Sequence, residues 1–93
     1  MSIAELIALA KVRSGKAQKE MAAEMGHSDH TRISKIATGR AEADASEIIY
    51  LAEQAHEPAL MALAAIESER HPELAAVWKS VLSRTREVAT PVQ

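Results

Sequence analysis

Seven side chains suited to binding a polyanion, or to reading hydrogen-bonding edges, fall close together: His30, Thr31, Arg32, Ser34, Lys35, Thr38 and Arg40. An arginine can set two N–H groups against the edge of one guanine, which discriminates that base by about 1–3 kcal/mol. Lysine, arginine and hydroxyl side chains also bond phosphate oxygens. Ile33 and Ile36 lie three apart among them, so a helix that buries this pair turns His30, Thr31, Arg32, Ser34 and Lys35 mostly outward. The competing reading of the same residues is an ordinary helical hairpin with a solvated basic face. Asp29 fits a helix cap better than a phosphate contact, because a carboxylate is repelled there. His27 and His30 flank it three residues apart, but a turn offers poor ligand geometry and no third strong ligand lies nearby in sequence, so neither a metal nor a cofactor is expected.

The surrounding charge is divided rather than spread. Residues 11–40 hold seven bases (Lys11, Arg13, Lys16, Lys19, Arg32, Lys35, Arg40) and three acids. From Ala41 onward four bases face nine acids, and the 93-residue chain carries a net charge of −2. A phosphate backbone is attracted to the first half and repelled by the second. The chain has no cysteine, which removes disulfides, thiolate metal sites and cysteine nucleophiles and suits a reducing cytoplasm. No apolar run approaches the roughly 18 residues of a membrane span, and the start Met1-Ser2-Ile3-Ala4-Glu5 lacks a signal-peptide pattern. Without a phosphate-cradling glycine loop or paired carboxylates in a plausible cleft, an enzyme is not expected.

The elements that must position these residues read as helices throughout, since the apolar content is Ala, Leu, Ile and Met with three Gly and no Phe. Ser2 and Glu5 form a capping box for a first helix with Ile3, Leu6, Ile7 and Ala10 on its inner face, stopped at Ser14-Gly15. A short second helix carries Gln18, Met21, Ala22 and Met25 and ends at Gly26. Ser28 or Asp29 then caps a third, which ends at Gly39. Asp44-Ala45-Ser46-Glu47 is a second capping box and opens a fourth helix with Ile48, Ile49, Leu51, Ala52 and Ala55 as its apolar stripe. Pro58 and Pro72 suit the first position of two more helices, over about 58–70 and 72–87. The expectation is an all-α, five- to six-helix single domain: a helix-turn-helix core over 1–56, C-terminal helices over 57–89 packing on it, and a frayed tail over 90–93.

Residues 16–56 resemble the lambda-repressor-like (Cro and XRE) helix-turn-helix family. Gln18 opens the second helix as the family's glutamine does, Met21-Ala22 and Met25-Gly26 stand where Leu-Ala and Leu-Gly are usual, and Ile33-Ser34-Lys35-Ile36 resembles Ile-Ser-Arg-Ile. Thr38-Gly39-Arg40 stands in for Asn-Gly-Lys. The resemblance implies that His30, Thr31, Arg32 and Lys35 face bases, and that Lys16, Gln18, Lys19, Ser34, Thr38 and Arg40 hold phosphates. The interval from Gly26 to Ile33 is one residue longer than the family pattern, which leaves the base-facing register within 29–32 open by one position. Ala17 stands where a capping Thr is common, and Ala37 replaces a frequent Glu.

Leu74, Trp78, Val81 and Leu82 share one face of the last helix and serve either as core or as a dimer interface. Regulators of this kind bind as two-fold dimers on palindromic double-stranded DNA, so a homodimeric, cytoplasmic transcriptional repressor of phage, plasmid or antitoxin type, acting by promoter occlusion, is the leading expectation. The alternative is a protein-interaction module whose acidic C-terminal helices bind a partner protein.

Overall fold

Local signals place each helix end, and packing sets the angles between helices. The computed structural model describes residues 1–89, with side chains as far as Arg84, so the expected frayed tail over 90–93 lies outside the described residues. Along the chain run α1 (Ile3–Ser14), α2 (Gln18–Glu24), α3 (Arg32–Ala37), α4 (Ala45–Gln54), α5 (Ala59–Arg70), a 3-10 turn (Pro72–Leu74) and α6 (Ala75–Ala89). There is no strand among the described residues, and the all-α expectation is met.

The Ser2 hydroxyl accepts the Glu5 amide at 3.1 Å and starts α1. At α4 the capping box is complete: the Asp44 carboxylate accepts the Glu47 amide, and the Glu47 carboxylate accepts the Asp44 amide, each at 2.9 Å. Both ends of the helix pair over 18–39 close the same way. Gly26 at φ 84° lets the His27 amide reach the Ala22 carbonyl, and Gly39 at φ 81° lets the Arg40 amide reach that of Lys35. These left-handed caps stop α2 and α3 abruptly and re-aim the chain. A Cβ at Gly26 would meet nothing within 4 Å, so the backbone angle, not space, asks for glycine there.

Three boundaries differ from expectation. Residues 30 and 31 remain in the turn and α3 begins at Arg32, because the Asp29 carboxylate takes the Thr31 amide at 2.9 Å and holds the chain in a tight bend. Pro58 precedes α5 at ψ 120° rather than opening it, and Pro72 opens the 3-10 turn that precedes α6.

The same left-handed cap closes α4, but there the residue is His56, at φ 56°. A side chain with a Cβ is strained in this region. His56→Gly is therefore expected to raise stability by about 0.5–1 kcal/mol, seen as a rise of a few degrees in Tm. An unchanged or lower Tm would show that the exposed imidazole contributes more than the strain removes.

Leu6, Met21, Ile33, Ile36, Ile48 and Leu51 are fully enclosed at the centre of the domain, and small Ala10, Ala22, Ala52 and Ala55 let α1, α2 and α4 come close around them. From α5, Ala62 and Ile66 close one side. The C-terminal region thus divides: α5 joins the core, whereas α6 packs beside α5 and the 3-10 turn, and none of its described side chains is buried. Trp78 is half-buried and outside the core cluster. The projecting α6 gives a Cα radius of gyration of 14.4 Å, against about 12 Å for a compact domain of this length. No helix among the described residues is long and apolar enough to cross a membrane.

Candidate nucleic-acid interface

α3 has two faces with different tasks. Ile33 and Ile36 are buried against the other helices, while Thr31, Ser34, Lys35 and Thr38, spaced i, i+3, i+4 and i+7, form one exposed polar stripe. His30 precedes the stripe and Arg40 follows it, both exposed. Four of the residues expected at the interface thus share one face of α3, and two more are exposed next to it in the chain.

Arg32 is the exception. Lying four residues before the buried Ile36, it flanks the inner face and is turned toward α4, away from the exposed stripe on which it was expected. Its Nε donates to Glu47 Oε2 at 2.9 Å and its Nη2 to Glu47 Oε1 at 2.8 Å, a two-pronged pair, and Nη2 also reaches the Glu42 carbonyl at 2.9 Å. Glu47 is 2% exposed. A buried carboxylate needs every lone pair engaged, and His27 Nε2 at 2.7 Å and the Asp44 amide complete the set. The Arg32 guanidinium foremost, then the Asp44 amide and His27, hold the Glu47 carboxyl down to about 2 against the opposing effect of burial. The same pairing raises the basicity of Arg32.

Other cations of the basic segment are also engaged. Lys16 Nζ donates to Glu24 at 2.8 Å and Gln54 at 3.0 Å, and Arg13 reaches Glu57 at 2.9 Å and the Ala55 carbonyl at 2.6 Å. The Tyr50 hydroxyl donates to Glu24 as well. The bond from Lys16 and then that from Tyr50 lower the Glu24 carboxyl, while burial and then Glu24 raise the Tyr50 hydroxyl. The acidic second half of the sequence therefore folds back onto the basic first half, and the surplus of charge seen along the chain is partly neutralised in space. Lys16, expected at phosphate, lies half-buried in this network, and Gln18 beside it is half-buried too.

Lys35 and Asp29 form an ion pair at 2.8 Å with both side chains 48% exposed. The Lys35 bond, then those from the Thr31 hydroxyl and amide, hold Asp29 well below the usual carboxylate range. A pair this open to water is weak. The Thr38 hydroxyl donates to the Ser34 carbonyl at 3.0 Å, which leaves its oxygen as an acceptor. Among the described residues, Lys19 and Arg40 are exposed cations with no ion-pair partner. Lys11 is a third such cation in the basic segment.

Sequence reasoning missed Glu47, His27 and Arg70 as members of the support. The capping box announced Glu47 as a helix start, but its partners lie 15 and 20 residues away, beyond any local pattern. Arg70 Nη1 donates to the Ala43 carbonyl at 2.6 Å and braces the α3–α4 loop from the side of α5. No three His, Cys, Asp or Glu side chains among the described residues gather as a metal site would require. Compared with family models, curated proteins and solved structures, the chain matches none of them.

Proposed function

We propose that the chain is a sequence-specific DNA-binding transcriptional regulator. The observation that carries the proposal is the exposed stripe Thr31, Ser34, Lys35, Thr38 on a short helix whose opposite face is locked in the core by Ile33 and Ile36. A major groove about 12 Å wide admits one such helix, and the stripe supplies donors and acceptors for base edges. His30 precedes the stripe in the chain, and the exposed Lys19 and Arg40 serve as phosphate contacts. The resemblance of residues 16–56 to lambda-repressor-like regulators supports the same reading, and promoter occlusion by a repressor of phage, plasmid or antitoxin type is its simplest mechanism.

The regulator acts as a homodimer on a palindromic site, with α6 as the contact. Leu74, Val77 and Val81 are 40%, 56% and 36% exposed, an unusual outlay of apolar surface in so small a domain. Beside them, half-buried Trp78 and Leu82 line a groove with Met61, Ala64 and Ala65 of α5. A two-fold axis lets one such face cover its own copy. Sedimentation equilibrium showing a monomer at micromolar concentration, with and without bound DNA, removes the dimer. A heterologous protein on this face would instead favour the interaction-module reading.

Selection of bound sites from random DNA, followed by affinity measurements across salt, tests the main proposal. The log–log salt slope of the wild type should be steep, and Lys19→Ala with Arg40→Ala should flatten it by about 2, near 0.9 for each phosphate released. Recovery of no enriched sequence, or an affinity indifferent to salt, sinks the DNA reading.

A further inference from the structure

α3 is six residues long and buries only Ile33 and Ile36, three residues apart. Two anchors nearly in line along a helix fix its tilt but leave it free to roll about its own axis. A roll of 10–20° is enough to spoil a recognition site. Ala37 adds only a small, partly buried contact, so a third attachment away from that line is needed, and Arg32 supplies it through Glu47.

We infer that Arg32 contributes to DNA reading as a positioning residue, acting through buried Glu47 instead of touching a base; the inference rests on the DNA-binding function proposed above. The Nε/Nη2 edge, one of the two that could grip a guanine in two-pronged fashion, is already filled by Glu47 at 2.9 and 2.8 Å. The terminal edge shares Nη2 with the Glu42 carbonyl at 2.9 Å. Moving Arg32 to DNA would strand a carboxylate that is 2% exposed.

The cluster also ties down both ends of the helix. His27, in the turn before α3, and the Glu42 carbonyl, in the loop after it, meet the same Arg32–Glu47 pair. Arg70 steadies that loop from the far side through the Ala43 carbonyl at 2.6 Å, with Glu42 Oε1 3.7 Å from its Nε. The carboxylate thus fixes the roll of α3 and the path of the chain entering and leaving it. Specificity then depends on residues that never reach the groove.

A double-mutant cycle on DNA affinity separates this from direct contact. Arg32→Lys keeps the charge but loses the fork, and Glu47→Gln keeps the shape but loses the charge. Each folded variant should bind the selected site roughly tenfold or more weakly, with the salt slope and the affinity for unrelated DNA unchanged, and the double variant should be no worse than the poorer single one. Losses that add, or an Arg32→Lys defect confined to one base pair, overturn the proposal and restore Arg32 as a reader. Hydrogen exchange without DNA gives an independent reading: amides of residues 34–38 should exchange faster in either variant while those of α1 and α5 do not. Unchanged exchange at 34–38 also overturns the positioning role. Failure of the wild type to select any DNA refutes the proposed function instead, and the exchange result still decides whether the cluster positions α3.

Discussion

Glu47→Ala should destabilise the domain by about 3–5 kcal/mol, the usual penalty for removing one partner of a buried ion pair and leaving the other behind. The substitution strands the half-buried Arg32 guanidinium, deprives His27 of its acceptor and opens the α4 capping box. In a small domain whose total stability is about 5–15 kcal/mol, that loss brings the folded state near its limit. Urea unfolding measures it, and a shift below about 1 kcal/mol would mean that water replaces the carboxylate. Acid titration offers a second measure. The Glu47 carboxyl is depressed from 4.5 to about 2 on folding. Its contribution, on the order of 3 kcal/mol, is therefore fully present above the unfolded value and is lost as pH falls from 4.5 toward 2. Glu47→Gln should remove that acid-sensitive component and flatten the stability curve over this window.

Ile33→Ala should cost about 2–5 kcal/mol, because it deletes a fully enclosed side chain and leaves a cavity among neighbours that cannot collapse into it. Ile33→Val, which removes one methylene, should cost about 0.5–1.5 kcal/mol at the same position. The ratio of the two tests the packing directly. Equal denaturation midpoints for the variants would show that α3 is loosely seated. A large effect of Ile33→Ala on stability also predicts loosening of the Thr31–Ser34–Lys35–Thr38 stripe, since Ile36 would be the one buried side chain of α3 left beside the Arg32–Glu47 pair.

The parts of the fold legible in the sequence are those written in short-range chemistry. Ser2, Gly26, Gly39 and the Asp44–Glu47 pair each mark a helix end within a few residues, and the structure keeps them. The periodicity of Leu6 and Ala10, Met21 and Ala22, Ile33 and Ile36 likewise names the core. What escaped depends on contacts across 15 residues or more. Arg32 reads as an outward cation in isolation, and only the buried carboxylate arriving from α4 turns it inward. The charge division of the chain misleads for the same reason, since Glu47 and Glu57 return to pair with Arg32 and Arg13. The apolar face of α6 was legible as a stripe, yet periodicity cannot say whether a stripe is covered by its own chain.

Placing Trp78 on the projecting α6 makes this protein's two optical signals report on different events. The chain has one Trp, one Tyr and no Phe, so its indole dominates emission excited near 295 nm and sits away from the enclosed aliphatic centre. Loss of that centre is read by far-ultraviolet dichroism, which follows the helices. Emission wavelength instead follows whatever dries or wets the α6 surface, so a change in emission while the dichroism stays constant marks an event at α6 that leaves the helices folded, with no label attached.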